Sequence, residues 1–190
     1  MIHLYVLEEN VKALFCLQKL LIAAREGNIK EVELCLKNRA NLECSDRIYE
    51  RTPLMLAAEG GHLEVVTFLV THGSQLEVTD RDGWTPLMLA AEGGHLEVVT
   101  YLVTHGSQLE ATSLYGRTPL MWAARGGHLE VVTYLVTHGS QLEVTDRYGR
   151  TALHYAAEYR QIDVTKCLID QGCSPWVKTL EVTFSFILIR

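Results

Sequence analysis

Apolar residues recur along the chain at spacings that fit short amphipathic helices. Between Thr85 and Arg117, one apolar stripe is lined by small residues, and a second stripe follows a Gly-Gly pair. The first stripe is Leu87, Ala90 and Ala91, and the second is Val98, Val99, Leu102 and Val103. This pattern predicts two antiparallel helices joined at Gly93 and Gly94, the second of which ends at Gly106.

The same pattern recurs with a period of 33 residues. Three near copies occupy residues 52–84, 85–117 and 118–150. A diverged copy follows at residues 151–179, and a more diverged copy with one extra residue precedes them at residues 18–51. Helices of about ten residues are marginal alone in water, so neighbouring units must stack to bury their apolar faces. The sequence therefore predicts one elongated all-α repeat solenoid over residues 18–179.

Each unit also carries signals for how its helices start and how units connect. In Thr85-Pro86 the hydroxyl can cap a helix, and proline suits the first helical position. From Ser107 to Arg117 the helical period disappears, and Gly116 favours a turn. This segment is predicted to be an extended finger that bends back into the next Thr-Pro.

These motifs resemble an ankyrin repeat, whose signature is a finger ending in glycine, Thr-Pro-Leu-His, two alanines, Gly-His, Val-Val, a Leu pair and glycine. The resemblance covers residues 18–179 in five units. It implies stacked helix-turn-helix units with short β-hairpin fingers, and a concave groove of fingers and first helices that holds a protein partner. The histidine of the signature is replaced by Met55, Met88 and Met121, and only His154 keeps it. We therefore expect the family's histidine–threonine hydrogen bond only in the last unit.

The two ends of the chain depart from the repeat. Residues 1–17 are predicted to form a capping helix or an extension, and they lack the basic start and cleavage site of a secretory signal. Residues 180–190 form an apolar tail too short to span a bilayer. Two interpretations of the tail stay open, a truncated further element and an aberrant end.

Composition narrows the class of protein. The 190 residues carry a formal net charge of −6, which argues against a general nucleic-acid binder and favours a monomer. The five cysteines are odd in number and have no CxxC spacing, so we expect free thiols in a reducing compartment. A cytoplasmic location is predicted, with the nucleus as the alternative and with no membrane association.

Differences between the near copies fall mostly in the fingers and first helices, which the resemblance places on the groove. Tryptophan, tyrosine and arginine dominate interface hot spots, and these aromatic residues are expected to be exposed because Leu, Ala and Val already fill the core positions. The predicted partner-binding residues are Trp84, Leu89, Glu92, Tyr115, Arg117, Trp122, Arg125, Tyr148, Arg150, Tyr155 and Glu158. The arginines favour an acidic or phosphorylated segment of the partner. Drift of surface positions is the alternative explanation of the differences.

Two columns of histidines raise the question of a metal site. The columns are His62, His95 and His128, and His72, His105 and His138. Packed helices lie about 8–10 Å apart whereas zinc needs nitrogen at about 2 Å, so a structural role is predicted and no metal or other cofactor is expected. Any Ser-His-Asp set would recur in every unit, and no Gly-rich phosphate loop is present, so we expect no enzymatic activity.

The pattern predicts a non-catalytic protein–protein interaction module, a scaffold or adaptor that presents a pre-formed groove. The first alternative is a targeting or regulatory segment of a larger enzyme, channel or adaptor. The second is a recently duplicated fragment without a specific partner.

Overall fold

The computed structural model describes residues 18–174, and all of its regular elements there are helices. Helix α1 covers residues 18–25. The others are α2 (Ile29–Lys37), α3 (Pro53–Glu59), α4 (Leu63–Thr71), α5 (Pro86–Gly93), α6 (Leu96–Thr104), α7 (Pro119–Gly126), α8 (Leu129–Thr137), α9 (Ala152–Glu158) and α10 (Ile162–Asp170). The predicted N-terminal cap, the apolar tail and the last residues of the final unit lie outside the described residues.

The helices form two packed layers. The first helices of successive units pack in the order α3, α5, α7 and α9, and the second helices pack in the order α2, α4, α6, α8 and α10. Each first helix also contacts its own second helix. Leucine, alanine and valine side chains from both layers form one continuous core along the stack. This arrangement confirms the predicted all-α solenoid.

The threonines cap the first helices, as predicted. The Oγ1 atom of Thr85 accepts a hydrogen bond from the backbone N–H of Met88 at 3.3 Å, and proline occupies the first helical turn. The last unit differs, because the backbone N–H of Thr151 donates to Nδ1 of His154 at 3.2 Å. The histidine–threonine bond is therefore present where the signature histidine is retained, and methionine fills buried space in the near copies.

The first histidine column connects neighbouring units. Nε2 of His95 lies 2.8 Å from the carbonyl oxygen of Glu59, one unit earlier. The other members, His62 and His128, make the equivalent contact with a carbonyl of the preceding unit at 2.9 and 2.6 Å. In the last unit Gln161 donates from Nε2 to the carbonyl of Arg125 at 3.2 Å instead. The predicted structural role of these histidines is confirmed.

A second set of contacts between units involves glutamate side chains that follow the second helices. Oε1 of Glu77 accepts a hydrogen bond from the backbone N–H of Gln108 at 3.0 Å, and Glu110 accepts one from Gln141 at 2.9 Å. Glu43 and Glu143 make the same contact at the two ends of the stack. Side chains at the two ends of the second helix thus bind backbone groups of both neighbours, a carbonyl of the preceding unit through histidine and an N–H of the next unit through glutamate.

The fingers are turns rather than the expected β-hairpins. Each finger is closed by a backbone hydrogen bond such as Ser113 N–H to the Arg117 carbonyl at 3.0 Å, and three fingers contain a second, such as Gly116 N–H to the Ser113 carbonyl at 2.8 Å. Neighbouring fingertips share one more, such as Leu114 N–H to the Asp82 carbonyl at 3.0 Å. These isolated bonds do not form a ladder between strands, and residues 18–174 contain no strand. The β-hairpin expectation was wrong because side chains such as Asp146 bind the finger's backbone N–H groups instead.

Candidate partner-binding surface

The predicted site residues come from two kinds of element, which the stacking brings onto one side of the solenoid. Trp84, Tyr115, Arg117, Tyr148 and Arg150 lie in fingers. The others belong to the first helices α5, α7 and α9, and they are Leu89, Glu92, Trp122, Arg125, Tyr155 and Glu158. All of them except Leu89 belong to one connected group of arginine, aromatic and acidic side chains, which we call the finger cluster. Its members are Trp84, Glu92, Tyr115, Arg117, Trp122, Arg125, Asp146, Tyr148, Arg150, Tyr155, Glu158 and Tyr159.

Three of the predicted contact residues are buried. Leu89, Trp122 and Tyr155 are 1%, 3% and 2% exposed, so the expectation of exposed aromatic residues was wrong for Trp122 and Tyr155. They occupy the same place in successive first helices, where neighbouring first helices and the fingers cover them. They support the surface from below and offer no free area to a partner.

The exposed part of the finger cluster is formed by tyrosines. Tyr115 and Tyr148 at two successive fingertips are 47% and 43% exposed. Tyr159, just after α9, is similarly exposed, and the guanidinium of Arg125 lies 4.9 Å from the centre of its ring. Large rigid side chains with a polar end are therefore available to a partner on this face.

Arginine side chains stack on the aromatic rings and hold them in place. The guanidinium carbon of Arg117 lies 5.0 Å from the centre of the Trp122 ring and 5.3 Å from that of Tyr155. Arg150 lies 4.7 Å from Tyr155 in the same way. Trp84 packs on Trp122 with 3.9 Å between ring centres. Cation–π and ring contacts of this kind make the cluster a preorganised surface.

Asp146 is the buried acid at the centre of the cluster, and it was missed in the sequence. Its Oδ2 accepts hydrogen bonds from the Tyr155 hydroxyl at 2.6 Å and from Nε of Arg150 at 3.1 Å. Its Oδ1 accepts from the backbone N–H groups of Tyr148 and Arg150 at 2.8 and 2.9 Å. Burial opposes the charged form of Asp146, but these bonds and the Arg150 charge outweigh it and lower the pKa of the carboxyl.

The same bonding raises the pKa of the Tyr155 hydroxyl. Burial is the larger cause, and donation to the Asp146 carboxylate is the second, while the charges of Arg117 and Arg150 partly oppose them. Tyr155 therefore stays protonated and serves as a hydrogen-bond donor to Asp146. The signal that could have revealed Asp146 is its recurrence, because Asp46 and Asp80 hold the same place in earlier fingers.

An ion pair between an arginine and a buried aspartate joins the first finger to the second. Nε of Arg51 donates to Oδ2 of Asp80 at 3.0 Å, and Nη1 of Arg51 donates to Glu59 at 2.8 Å. Neither Arg51 nor Asp80 was predicted as part of the surface. The arrangement of an arginine at the end of one finger and a buried aspartate in the next is thus a repeated way to join fingers.

Acidic side chains neutralise part of the arginine charge. Arg125 pairs with Glu92 at 3.1 Å, and Arg150 pairs with Glu158 at 3.5 Å as well as with Asp146. The pairs with Glu92 and Glu158 are partly exposed, so they contribute little to stability but fix side-chain positions. The surface is therefore mixed in charge, with Arg117 holding the longest ion pair of the cluster, 3.9 Å from Asp146.

Other kinds of site were sought in the same residues. Within residues 18–174, no group of three or more histidine, cysteine, aspartate or glutamate residues could hold a metal ion. In that same part of the chain, each helix falls short of the length and apolar character needed to cross a membrane.

The chain is similar to known proteins. The family model described as "Ankyrin repeats (3 copies)" matches residues 20–113 and 106–179. A Notch-regulated ankyrin repeat-containing protein of Xenopus tropicalis is 39% identical over 66 residues, which are 33% of this chain and 58% of that protein. Its human counterpart is 38% identical over 66 residues, with the same coverage.

A relative of another kind is a glycerophosphocholine phosphodiesterase of Candida albicans. It is 31% identical over 65 residues, 34% of this chain but only 6% of that protein. The chain thus matches between 6% and 58% of the lengths of these relatives. The family model, in contrast, covers most of the described stack, and its match agrees with the helix pairs, the threonine caps and the interlocked turns. The chain belongs to the ankyrin repeat family.

Proposed function

We propose that this chain is a non-catalytic protein-binding module that holds a partner against the finger cluster. The observation that carries the proposal is the exposure of Tyr115 and Tyr148 on successive fingers above buried Trp122 and Tyr155. Exposed tyrosines on a rigid base lose little side-chain entropy when they bind, which favours a stable interface.

The contact set follows from the burial of each side chain. Tyr115, Tyr148, Glu92, Glu158 and Arg125 would touch the partner directly. Trp84, Arg117 and Arg150 are half-buried and would contribute their edges, while Leu89, Trp122 and Tyr155 position them. Arginine forks on this face favour an acidic or phosphorylated segment of the partner. The protein would act in the cytoplasm or nucleus as a monomeric scaffold or adaptor.

The test compares the purified domain with two triple variants in a pull-down from cell lysate, followed by mass spectrometry. The surface variant carries Tyr115→Ala, Arg125→Ala and Tyr148→Ala, none of which fills the core. The control carries Glu64→Gln, Glu97→Gln and Glu130→Gln, exposed positions at the start of the second helices.

A protein retained by the parent and the control, but lost from an equally folded surface variant, would support the proposal. The interaction would then be measured by calorimetry with the purified partner. Equal retention by all three domains, or retention by none, would contradict it.

A second candidate function is favoured by the phosphodiesterase relative. Because the match covers 6% of that enzyme, related repeats occur within a much longer protein. The repeats described here would then regulate or target an attached effector. A transcript that encodes an effector domain in frame with these repeats would favour this alternative, and the same surface variant would test which face contacts the effector.

A further inference from the structure

The third finger lacks an acid that its neighbours have. In the fourth finger, Oδ2 of Asp146 accepts hydrogen bonds from Nε of Arg150 and from the Tyr155 hydroxyl. The residues that lie 33 positions earlier are Ser113, Arg117 and Trp122. The two donors of the fourth finger thus have counterparts in the third, but a serine stands in place of the acceptor.

Ser113 does not satisfy these donors. Its hydroxyl accepts a hydrogen bond from the backbone N–H of Arg117 at 3.3 Å, which replaces one of the backbone bonds of Asp146. Nε of Arg117 and Nε1 of Trp122 are both shielded from solvent, and neither has a hydrogen-bond partner among residues 18–174. Oδ2 of Asp146, at 3.9 Å from Nε of Arg117, is beyond hydrogen-bond distance. Buried polar atoms without a partner are uncommon in folded proteins, and eight such side-chain atoms occur within residues 18–174. Arg117 and Trp122 differ from the others because their side chains contact each other.

The residue before this finger has changed together with it. Where the next finger contains a buried aspartate, the preceding finger ends in arginine, as in Arg51 before Asp80 and Arg117 before Asp146. Before Ser113 the corresponding residue is Trp84, which packs on the face of Trp122. The third finger therefore lacks the aspartate, because Ser113 stands in its place, and it also lacks the arginine of the preceding finger, because Trp84 stands there. Arg117 and Trp122 still carry their donors.

We propose that Arg117 and Trp122 form a carboxylate-binding subsite, which an aspartate or glutamate side chain of the bound partner completes. The identity of the carboxylate's carrier rests on the proposed function, whereas the subsite itself does not. Serine in place of aspartate removes the acceptor oxygen that the two donors of the fourth finger share. A carboxylate can accept both bonds, and the one from arginine is charge-assisted.

The neighbouring unit shows that this chemistry fits the fold. Arg150 and Tyr155 already hold the Asp146 carboxylate in the equivalent place. Trp84 covers the face of the Trp122 ring, whereas an indole N–H donates in the ring plane, so the contact with Trp84 does not use this donor. Because both donors are shielded from solvent, a carboxylate reaches them only when the side chains that shield them move aside on binding. The partner's carboxylate would thus take the position that Asp146 takes one unit later.

The test observes the indole N–H of Trp122 directly, by nuclear magnetic resonance of 15N-labelled protein at pH 7. Sodium acetate replaces sodium chloride at constant ionic strength, and the three indole signals are assigned with Trp84→Phe, Trp122→Phe and Trp176→Phe. We expect a saturable downfield shift of the Trp122 indole proton, with little change at the other two.

Three variants sharpen the result. In Ser113→Asp the carboxylate is supplied by the chain, so the Trp122 signal should start downfield and no longer respond to acetate. Arg117→Lys keeps the charge but removes Nε, and should weaken acetate binding several-fold. Arg117→Gln removes the charge and should abolish the response, which keeps the test decisive if Ser113→Asp fails to fold. Circular dichroism reports folding of each variant.

A Trp122 shift that fails to saturate, or an equal response in Ser113→Asp, would overturn the subsite. With a purified partner, Ser113→Asp should bind about tenfold more weakly than the parent. Undiminished binding would refute the role of a partner carboxylate while leaving the proposed function intact. Acetate binding without any captured partner would support the subsite and count against the proposed function alone.

Discussion

Replacement of Asp146 by alanine is the sharpest test of how the finger cluster is held together. The carboxylate accepts four hydrogen bonds, two on each oxygen. They join the fourth finger to Tyr155 in the next first helix. The substitution Asp146→Ala removes all four acceptors and is expected to loosen the contact between the fourth and fifth helix pairs.

The size of the effect follows from what each donor can do afterwards. The Tyr155 hydroxyl is in a buried side chain, and leaving such a donor unsatisfied costs about 1–3 kcal/mol. Arg150 is only partly buried and still reaches Glu158, so its loss is discounted for solvent. The two finger N–H groups add about 1 kcal/mol each at most, because water can replace the acceptor. We expect Asp146→Ala to lower the free energy of unfolding by about 3 kcal/mol.

Urea unfolding at pH 7, followed by circular dichroism and fluorescence, measures this loss. The control is Asp82→Ala, because Asp82 is an exposed finger aspartate whose carboxylate makes no ion pair or hydrogen bond within residues 18–174. Adding Tyr155→Phe to Asp146→Ala should recover part of the loss, since it removes the orphaned hydroxyl. A loss below about 1 kcal/mol, or one equal to that of the control, would refute the reasoning.

The pH dependence gives the same prediction a second readout. The pKa of Asp146 is lowered in the folded protein, because its hydrogen bonds and Arg150 outweigh the effect of burial. Its contribution is therefore fully present above the unfolded-state pKa of about 3.9 and is lost as pH falls through the folded-state value. The parent should lose more stability than Asp146→Ala when the unfolding is repeated below about pH 4.

Three further predictions test the contacts between units and the buried thiols. His95→Ala should lower the free energy of unfolding in urea by about 1 kcal/mol, because it removes the bond to the Glu59 carbonyl. His95→Gln should restore most of this stability, since glutamine makes the same bond in the last unit, and equal losses in the two variants would contradict the prediction. Gly94→Ala should destabilise the protein more than Gly106→Ala. Both glycines have a positive φ, but only at Gly94 would a Cβ atom meet a side chain. Equal melting temperatures of the two variants would contradict this prediction. Burial raises the pKa of the Cys173 thiol to about 12, so iodoacetamide at pH 8 should label it far more slowly in folded than in urea-unfolded protein, and fast labelling when folded would exclude the burial.

The fold could be predicted because its signals are local and repeated. The Thr-Pro motif begins a helix in each near copy, as at Thr85-Pro86. Gly94 adopts a left-handed conformation that few other residues tolerate. The fingers could not be predicted as well, because their conformation depends on bonds from side chains such as Asp146 to the finger backbone. The family's hairpin was expected, and turns joined by single backbone bonds were found.

The surface was predicted only in part, because sequence position does not reveal depth. Trp122 and Tyr155 stand where Leu89 stands, so their burial follows from the repeat itself. The expectation of exposure treated the aromatic rings as additions to a core that was already full. The solenoid instead accommodates larger rings on the side that carries the fingers, where the guanidinium groups of Arg117 and Arg150 pack over them.

Two kinds of contact explain why some positions are identical in the near copies while others change. The His95 and Glu77 side chains bind backbone groups of a neighbouring unit, and a backbone acceptor or donor is the same whatever the neighbour's sequence. The fingers are joined through side chains, so a change at one end alters the other, as with Trp84 and Ser113. The difference at Trp84 and the difference at Ser113 are therefore a paired change. In the third finger this paired change leaves the buried donors of Arg117 and Trp122 unsatisfied, and this makes it the strongest candidate for the position that selects a partner.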